Sequence, residues 1–213
     1  MTTVAEFVIG ADPAAWSAVG FDVDATGLMQ LGGIRVRFVD GEPGMRSWVL
    51  ADAPAATNAA VTEIDGLATT FGDAPDVPGH QHANTAFGID HVVIYTPHLE
   101  QTCDAIASAT GAPLKRIREV GALRQGFHRL GEVVVEVVTY PTIEVDRATF
   151  WGLALNVADI DTVHTQCGDD LMSPPKDAVQ SGRRIASFRA AAQLGLPVAV
   201  MTVRDPREGV AAS

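Results

Sequence analysis

Cysteine is scarce: Cys103 and Cys167 are the only two among 213 residues. Two thiols make neither a disulfide framework nor a zinc-ligand set, so a reduced, cytoplasmic protein is the expectation. Both lie in segments expected to be helical, where a free thiol packs as a small hydrophobe. Long apolar runs are missing too, and nothing approaches the roughly 18 residues of a membrane span. No basic residue precedes the apolar run in MTTVAEFVIGADP, so a secretory signal is not expected. Positive charge is in short supply. Fifteen Lys+Arg face 26 Asp+Glu, a net charge of −11. A nucleic-acid binder must neutralise phosphates, so neither nucleic acid nor membrane is an expected partner. The phosphate loop, the nucleophile elbow and the H-E-x-x-H helix are all absent.

Apolar residues make up 47% and charged residues 19%, which excludes whole-chain disorder and suits a sizeable core. The pattern repeats. FGIDHVVIYTPHLEQTCDAIASATGAP (87–113) opens on a buried strand, stops at Pro97 and continues as an amphipathic helix closed by Gly111 and Pro113. RLGEVVVEVVTY (129–140) is a strong strand, and ALRQGFHRL before it supplies a further edge. The order recurs downstream. FWGLALNV (150–157) reads as a strand, 158–168 as a short helix, and 181–190 and 196–205 as strands. A fainter copy stands at the start, with strands at 6–10, 31–41 and 47–51. Its short helix begins with Asp12 as N-cap and Pro13 as first helical residue. LGGIRVRFV (31–39) aligns without a gap on LGEVVVEVV (130–138), which sets Arg37 opposite Glu136.

Two stretches, 53–59 and 72–85, are rich in Pro, Gly, Ala and Asn, so a boundary is expected near 72–86. Between them, VTEIDGLATTF reads as a strand. The organisation expected is a weaker βαβββ-like module at 1–71, a linker at 72–87, paired modules at 88–140 and 150–205, and a tail at 206–213.

GIDHVVIYTPHLEQT resembles the opening of a βαβββ module of the vicinal oxygen chelate superfamily, whose members include glyoxalase I, bleomycin-resistance proteins and extradiol dioxygenases. RLGEVVVEVV resembles its last strand, FWGLALNVADIDTV the opening of a second module, and 173–202 its closing strands. The resemblance implies an α+β protein whose repeated βαβββ modules form curved mixed sheets around a cleft. Metal enzymes of the superfamily take ligands from the first and last strands of each module, which here match His91 and Glu136. A bound cation would be Mn, Fe, Ni, Zn or Mg. The second module departs from the pattern, because Gly152 and Ala199 stand where its ligands would be. In the first module Glu6 and Arg37 occupy the corresponding positions, as a cleft salt bridge or an anion-binding pair.

Three functions follow. The first is a glyoxalase-like protein that binds a small molecule in the cleft, with no catalytic residue assigned. The second is a divalent-metal-dependent lyase, isomerase or dioxygenase. The third is a structural or interaction module. The ligand cleft is expected to include Glu6, Arg37, Tyr95 and Asn156, since alternation gives Tyr95 the face of His91. Bland roles stand beside these. His91 could simply bond Asp90, and Glu136 could pair with Arg124, Arg129 or Arg184. Arg183 and Arg189 share one strand face and Arg184 takes the other. His80 and His82 read as flexible-loop residues, His128 as a strand-edge residue. The three tryptophans read as core or cleft wall. An odd module left over is expected to pack on the other domain or on a second subunit, giving a homodimer.

Overall fold

The computed structural model describes residues 1–57, 62–73 and 80–203. The expected tail at 206–213 and the stretch 74–79 of the expected linker lie outside the described residues. The chain builds two mixed sheets with helices against them, the α+β architecture expected. The first sheet holds β1 (Thr3–Gly10), β2 (Leu28–Leu31), β3 (Ile34–Val39), β4 (Gly44–Ala51), β5 (Glu63–Ile64) and β6 (Leu67–Phe71). Their order is β2-β3-β1-β4-β6-β5. Helix α1 (Pro13–Ala18) follows β1. Asp12 caps it by accepting from the Ala14 amide at 2.8 Å, and Pro13 opens it.

The second sheet begins with β7 (Ala86–Tyr95), α2 (Leu99–Thr110), β8 (Arg116–Val120), β9 (Leu123–Leu130) and β10 (Val133–Thr139). It continues with β11 (Thr149–Val157), α3 (Ile160–Leu171), β12 (Lys176–Asp177), β13 (Arg184–Ser187) and β14 (Val198–Thr202). The order is β12-β13-β14-β11-β7-β10-β9-β8. Each half is a βαβββ run whose first and last strands pair in parallel, β7 with β10 and β11 with β14. The halves meet through antiparallel β7 and β11. Glycine lets α2 sit close: a Cβ on Gly126 of β9 would stand 2.6 Å from Cys103 Sγ of the helix.

The aligned LG segments are the same device used twice. Leu31 and Leu130 each end a strand, and Gly32 (φ 60°) and Gly131 (φ 61°) each turn the chain through the left-handed region. The segment 31–41, expected as one strand, is therefore a hairpin turn followed by β3. Register preserves the alignment. Glu136 lies opposite Val93, two residues beyond His91, and Arg37 lies opposite Val8, two residues beyond Glu6.

Strand β4, expected as a further strand of the first module, pairs antiparallel with β1, as β11 does with β7. It then pairs in parallel with β6, and β5 and β6 form a hairpin where a single strand was expected. The first sheet packs on the second within the chain, one of the two placements expected for the odd module.

The two sheets share one apolar core. Trp16 donates its indole N–H to the Leu194 carbonyl at 3.1 Å, and Trp48 packs edge-on against Phe150 at 5.3 Å. Asn84 donates to the Val19 carbonyl at 2.9 Å. His82 belongs to this seam: it lies on the connection before β7, outside any strand or helix, but its side chain is fixed there. It is buried, accepts from the Asp22 amide at 2.9 Å and lies 2.9 Å from the Gln30 carbonyl. His80 instead meets Asp22 at 3.1 Å. His128 is also buried rather than at an edge, 3.0 Å from the Ala112 carbonyl. No helix of the described residues is long and apolar enough to cross a membrane.

Candidate functional site

Strand β7 carries the centre of the site. Along its core face stand Ile89, Val92 and Ile94, all buried. Two residues, Asp90 and His91, fall between Ile89 and Val92, where simple alternation allows one. The register explains this: Leu155 faces Ile89 and Ala154 faces His91, so Asp90 is the extra residue of a β-bulge. The bulge brings both side chains together, with His91 Nδ1 2.9 Å from Asp90 Oδ2.

A polar chain runs across the sheet from there. Arg183 donates to Asp90 Oδ1 at 2.7 Å, to Asn156 Oδ1 at 3.0 Å and to the Thr202 carbonyl at 2.6 Å. Burial alone would raise the Asp90 pKa. The hydrogen bonds from His91 and Arg183 more than offset that and hold it below the usual carboxylate value. On the other side, His91 Nε2 lies 3.6 Å from Glu136 Oε2, and Gln125 donates to Glu136 Oε1. Nε2 thus faces a carboxylate oxygen, with Asp90 on the other side of the ring. At 3.6 Å, either a proton carried by Nε2 or a cation fits between the two atoms. Gln125 Oε1, buried beside them, has no hydrogen-bond partner among the described residues.

This polar waist divides a cleft in the concave face. The inner part, about 410 Å³, is apolar and aromatic. Tyr95 stacks on Trp151 with ring centroids 5.1 Å apart and planes 20° apart, and Tyr140 meets Tyr95 edge-on at 5.8 Å. Val93, Val138, Leu153 and Ala199 complete its walls. The outer part, about 690 Å³, shares His91, Gln125 and Glu136 with the inner one and opens past Phe127 and Ile185. A further cavity of about 600 Å³ lies between the sheets, bordered by Asp90, Asn156, Arg183 and the Gly32 turn.

The structure brings His91, Glu136 and Tyr95 to one cavity. Asn156 lines the inter-sheet cavity and is engaged by Arg183. Glu6 and Arg37 stand apart, in the other sheet. Glu6 is fully buried and paired with both Arg35 and Arg37, a cleft-independent ion pair. None of the arginines expected near Glu136 reaches it. Arg124 holds Glu100 and Glu119, Arg184 holds Asp161, and Arg129 donates to the Gly131 carbonyl. Gln125 takes that role. Alternation in β9 puts it on the face of Leu123 and Phe127, a signal available to sequence reading once β9 is recognised as a full strand.

Among the described residues no three His, Cys, Asp or Glu side chains converge as a metal site. At the second module's ligand position, a Cβ on Gly152 would lie 2.4 Å from the Pro197 carbonyl oxygen, so no ligating side chain fits. The donors present, one imidazole nitrogen, one carboxylate and one amide oxygen, suit a loosely held cation with water in its open positions. They do not suit a closed zinc site.

No protein-family model and no curated protein matches the sequence. Solved structures do. A triple variant of 4-hydroxymandelate synthase from Streptomyces coelicolor is similar over 94% of this chain and 92% of its own, with 16% identity and a TM-score of 0.60. Methylmalonyl-CoA epimerase from Mycobacterium tuberculosis is similar over 60% of this chain and 95% of its own, with 13% identity and a TM-score of 0.49. The Streptomyces coelicolor epimerase bound to 2-nitronate-propionyl-CoA covers 57% of this chain and 99% of its own, at 15% identity and a TM-score of 0.46. At these identities the likeness is one of fold.

Proposed function

We propose that this chain, whose fold is that of the vicinal oxygen chelate superfamily, is a glyoxalase-like protein that binds a small organic molecule in the cleft of its eight-stranded sheet. One observation carries the reading. A preformed aromatic and apolar pocket adjoins a few convergent polar groups, His91, Glu136 and Gln125, which is the anatomy of a small-molecule site. The test is a thermal-shift screen of metabolite-sized compounds against wild type and Ala199→Trp, which fills the pocket. Compounds that raise the wild-type midpoint but not the variant's support the reading. A screen in which no compound separates the two proteins overturns it.

A second reading is favoured by the convergence of His91 Nε2, Glu136 Oε2 and Gln125 Oε1, the last without a hydrogen-bond partner among the described residues. In it, His91, Glu136 and Gln125 hold a divalent cation, and the protein is a lyase, isomerase or dioxygenase of the superfamily's metal-dependent type. The cation would supply Lewis-acid polarisation of a ligand oxygen. The protein's own part is to orient His91 through Asp90 and to shield the pocket from water with Tyr95, Tyr140 and Trp151. Dialysis against manganese, nickel, iron or zinc, then metal analysis of wild type beside His91→Ala, tests it. Near-stoichiometric metal lost in the variant supports the reading, and metal-free wild type ends it. We propose a reducing compartment for the protein, the cytoplasm, in keeping with its two unpaired cysteines. Cys103 and Cys167 are free thiols, and burial pushes Cys103 up to about 11.

A further inference from the structure

Strands β8 and β12 are the two edges of the eight-stranded sheet, yet both reach one opening. The sheet curls so far that Arg116 and Arg118 of β8 and Lys176 of β12 line the same outer cavity. Alternation turns Arg116 and Arg118 to the cleft face of β8 and Glu119 to the other, where Arg124 holds it at 3.0 Å. None of the three cations forms an ion pair among the described residues, and Arg116 only stacks over Phe127 at 4.7 Å. By contrast Arg35, Arg37, Arg124, Arg183 and Arg184 each hold a carboxylate. Two acids share the cavity, Asp177 and the already engaged Glu136. The mouth therefore carries unspent positive charge, and the pocket behind it presents the stacked rings of Tyr95 and Trp151.

We infer that the cleft selects an organic anion with a flat apolar body. Its negative group rests between the sheet edges, against Arg116, Arg118 and Lys176, and its body passes His91 and Glu136 to lie against Tyr95 and Trp151. Guanidinium groups read a planar carboxylate well, and charges at a rim draw an anionic ligand in. The inference rests on the cleft being a small-molecule site and names the class of molecule.

The experiment compares 2-naphthoate with its neutral amide, 2-naphthamide, by calorimetry on the full chain. Wild type, the single variant Arg118→Gln, the triple variant Arg116→Gln/Arg118→Gln/Lys176→Gln and Ala199→Trp are titrated at low and high salt. Wild type is expected to bind the acid about tenfold more tightly than the amide at low salt. That preference shrinks at high salt, falls in Arg118→Gln and vanishes in the triple variant, while Ala199→Trp loses both compounds. Equal affinity for acid and amide, or a preference that survives the triple variant, overturns the anion assignment and leaves the cleft reading standing. Binding of neither compound, while screened compounds still shift wild type but not Ala199→Trp, overturns the class alone. Binding of neither, with a screen that separates no compound, removes the cleft reading as well.

Discussion

Asp90 and His91 are consecutive residues of one strand, yet their side chains meet at 2.9 Å, because a bulge at Asp90 interrupts the alternation that would send them to opposite faces. Arg183 secures the pair from the other side of Asp90. Asp90→Asn is expected to cost about 2 kcal/mol at neutral pH, the scale for hydrogen bonds to a charged group. The Asp90 pKa is depressed in the folded protein, so its contribution is complete above the unfolded value near 3.9 and fades as pH falls through the folded value. Urea midpoints from pH 6 downward should show a gap between wild type and variant that holds above about pH 4 and closes below it. A pH-independent gap would falsify this role for the carboxylate.

His82 and His128 set a second pH dependence. Burial lowers the pKa of each below 6.5, with backbone bonds to Gln30 and Ala112 offsetting only part of it. The unfolded chain then takes up protons first as pH falls through about 6.5, so stability present above that value declines on acidification. Denaturation midpoints between pH 7.5 and 5.5 should fall for wild type and fall less for His82→Gln/His128→Gln. Equal slopes in the two proteins count against the assignment.

Glu6 is buried, while Arg35 and Arg37 keep part of their surface in water. Removing the carboxylate therefore strands no buried cation. Glu6→Gln should lower stability by about 1–3 kcal/mol, read as a shift in urea midpoint with an unchanged slope. Ligand affinity in the other sheet should not move, and a loss of binding would mean the two sheets are coupled.

Gly152 shows why the second module lacks a metal ligand. Its missing Cβ leaves room for the Pro197 carbonyl, which accepts from the Leu153 amide at 3.0 Å. Gly152→Ala should cost about 1–3 kcal/mol from the forced shift. Gly152→His, though it restores a ligand type, should destabilise further and add no manganese affinity. A stable, metal-binding Gly152→His would show that the Pro197 turn yields.

Local periodicity was enough to reveal β7, β10 and β11 and the helices after β7 and β11. Each side chain in those runs faces core or cleft according to its place in a period of 2.0 or 3.6, and the chain encodes that period directly. The pairing of Leu31-Gly32 with Leu130-Gly131 was legible for the same reason, since a left-handed turn selects glycine. His91 and Glu136 came from the resemblance to the vicinal oxygen chelate modules, and Tyr95 from its alternation with His91. What local pattern does not carry is long-range pairing. Only the folded sheet decides that β4 sits beside β1, that Glu6 closes on Arg35 and Arg37, and that Gln125 reaches Glu136. The bulge at Asp90 exists because β11 offers one residue where β7 offers two, and the curl of the sheet alone brings Arg116, Arg118 and Lys176 to one mouth. Those are properties of register and curvature, which depend on residues far apart in the chain.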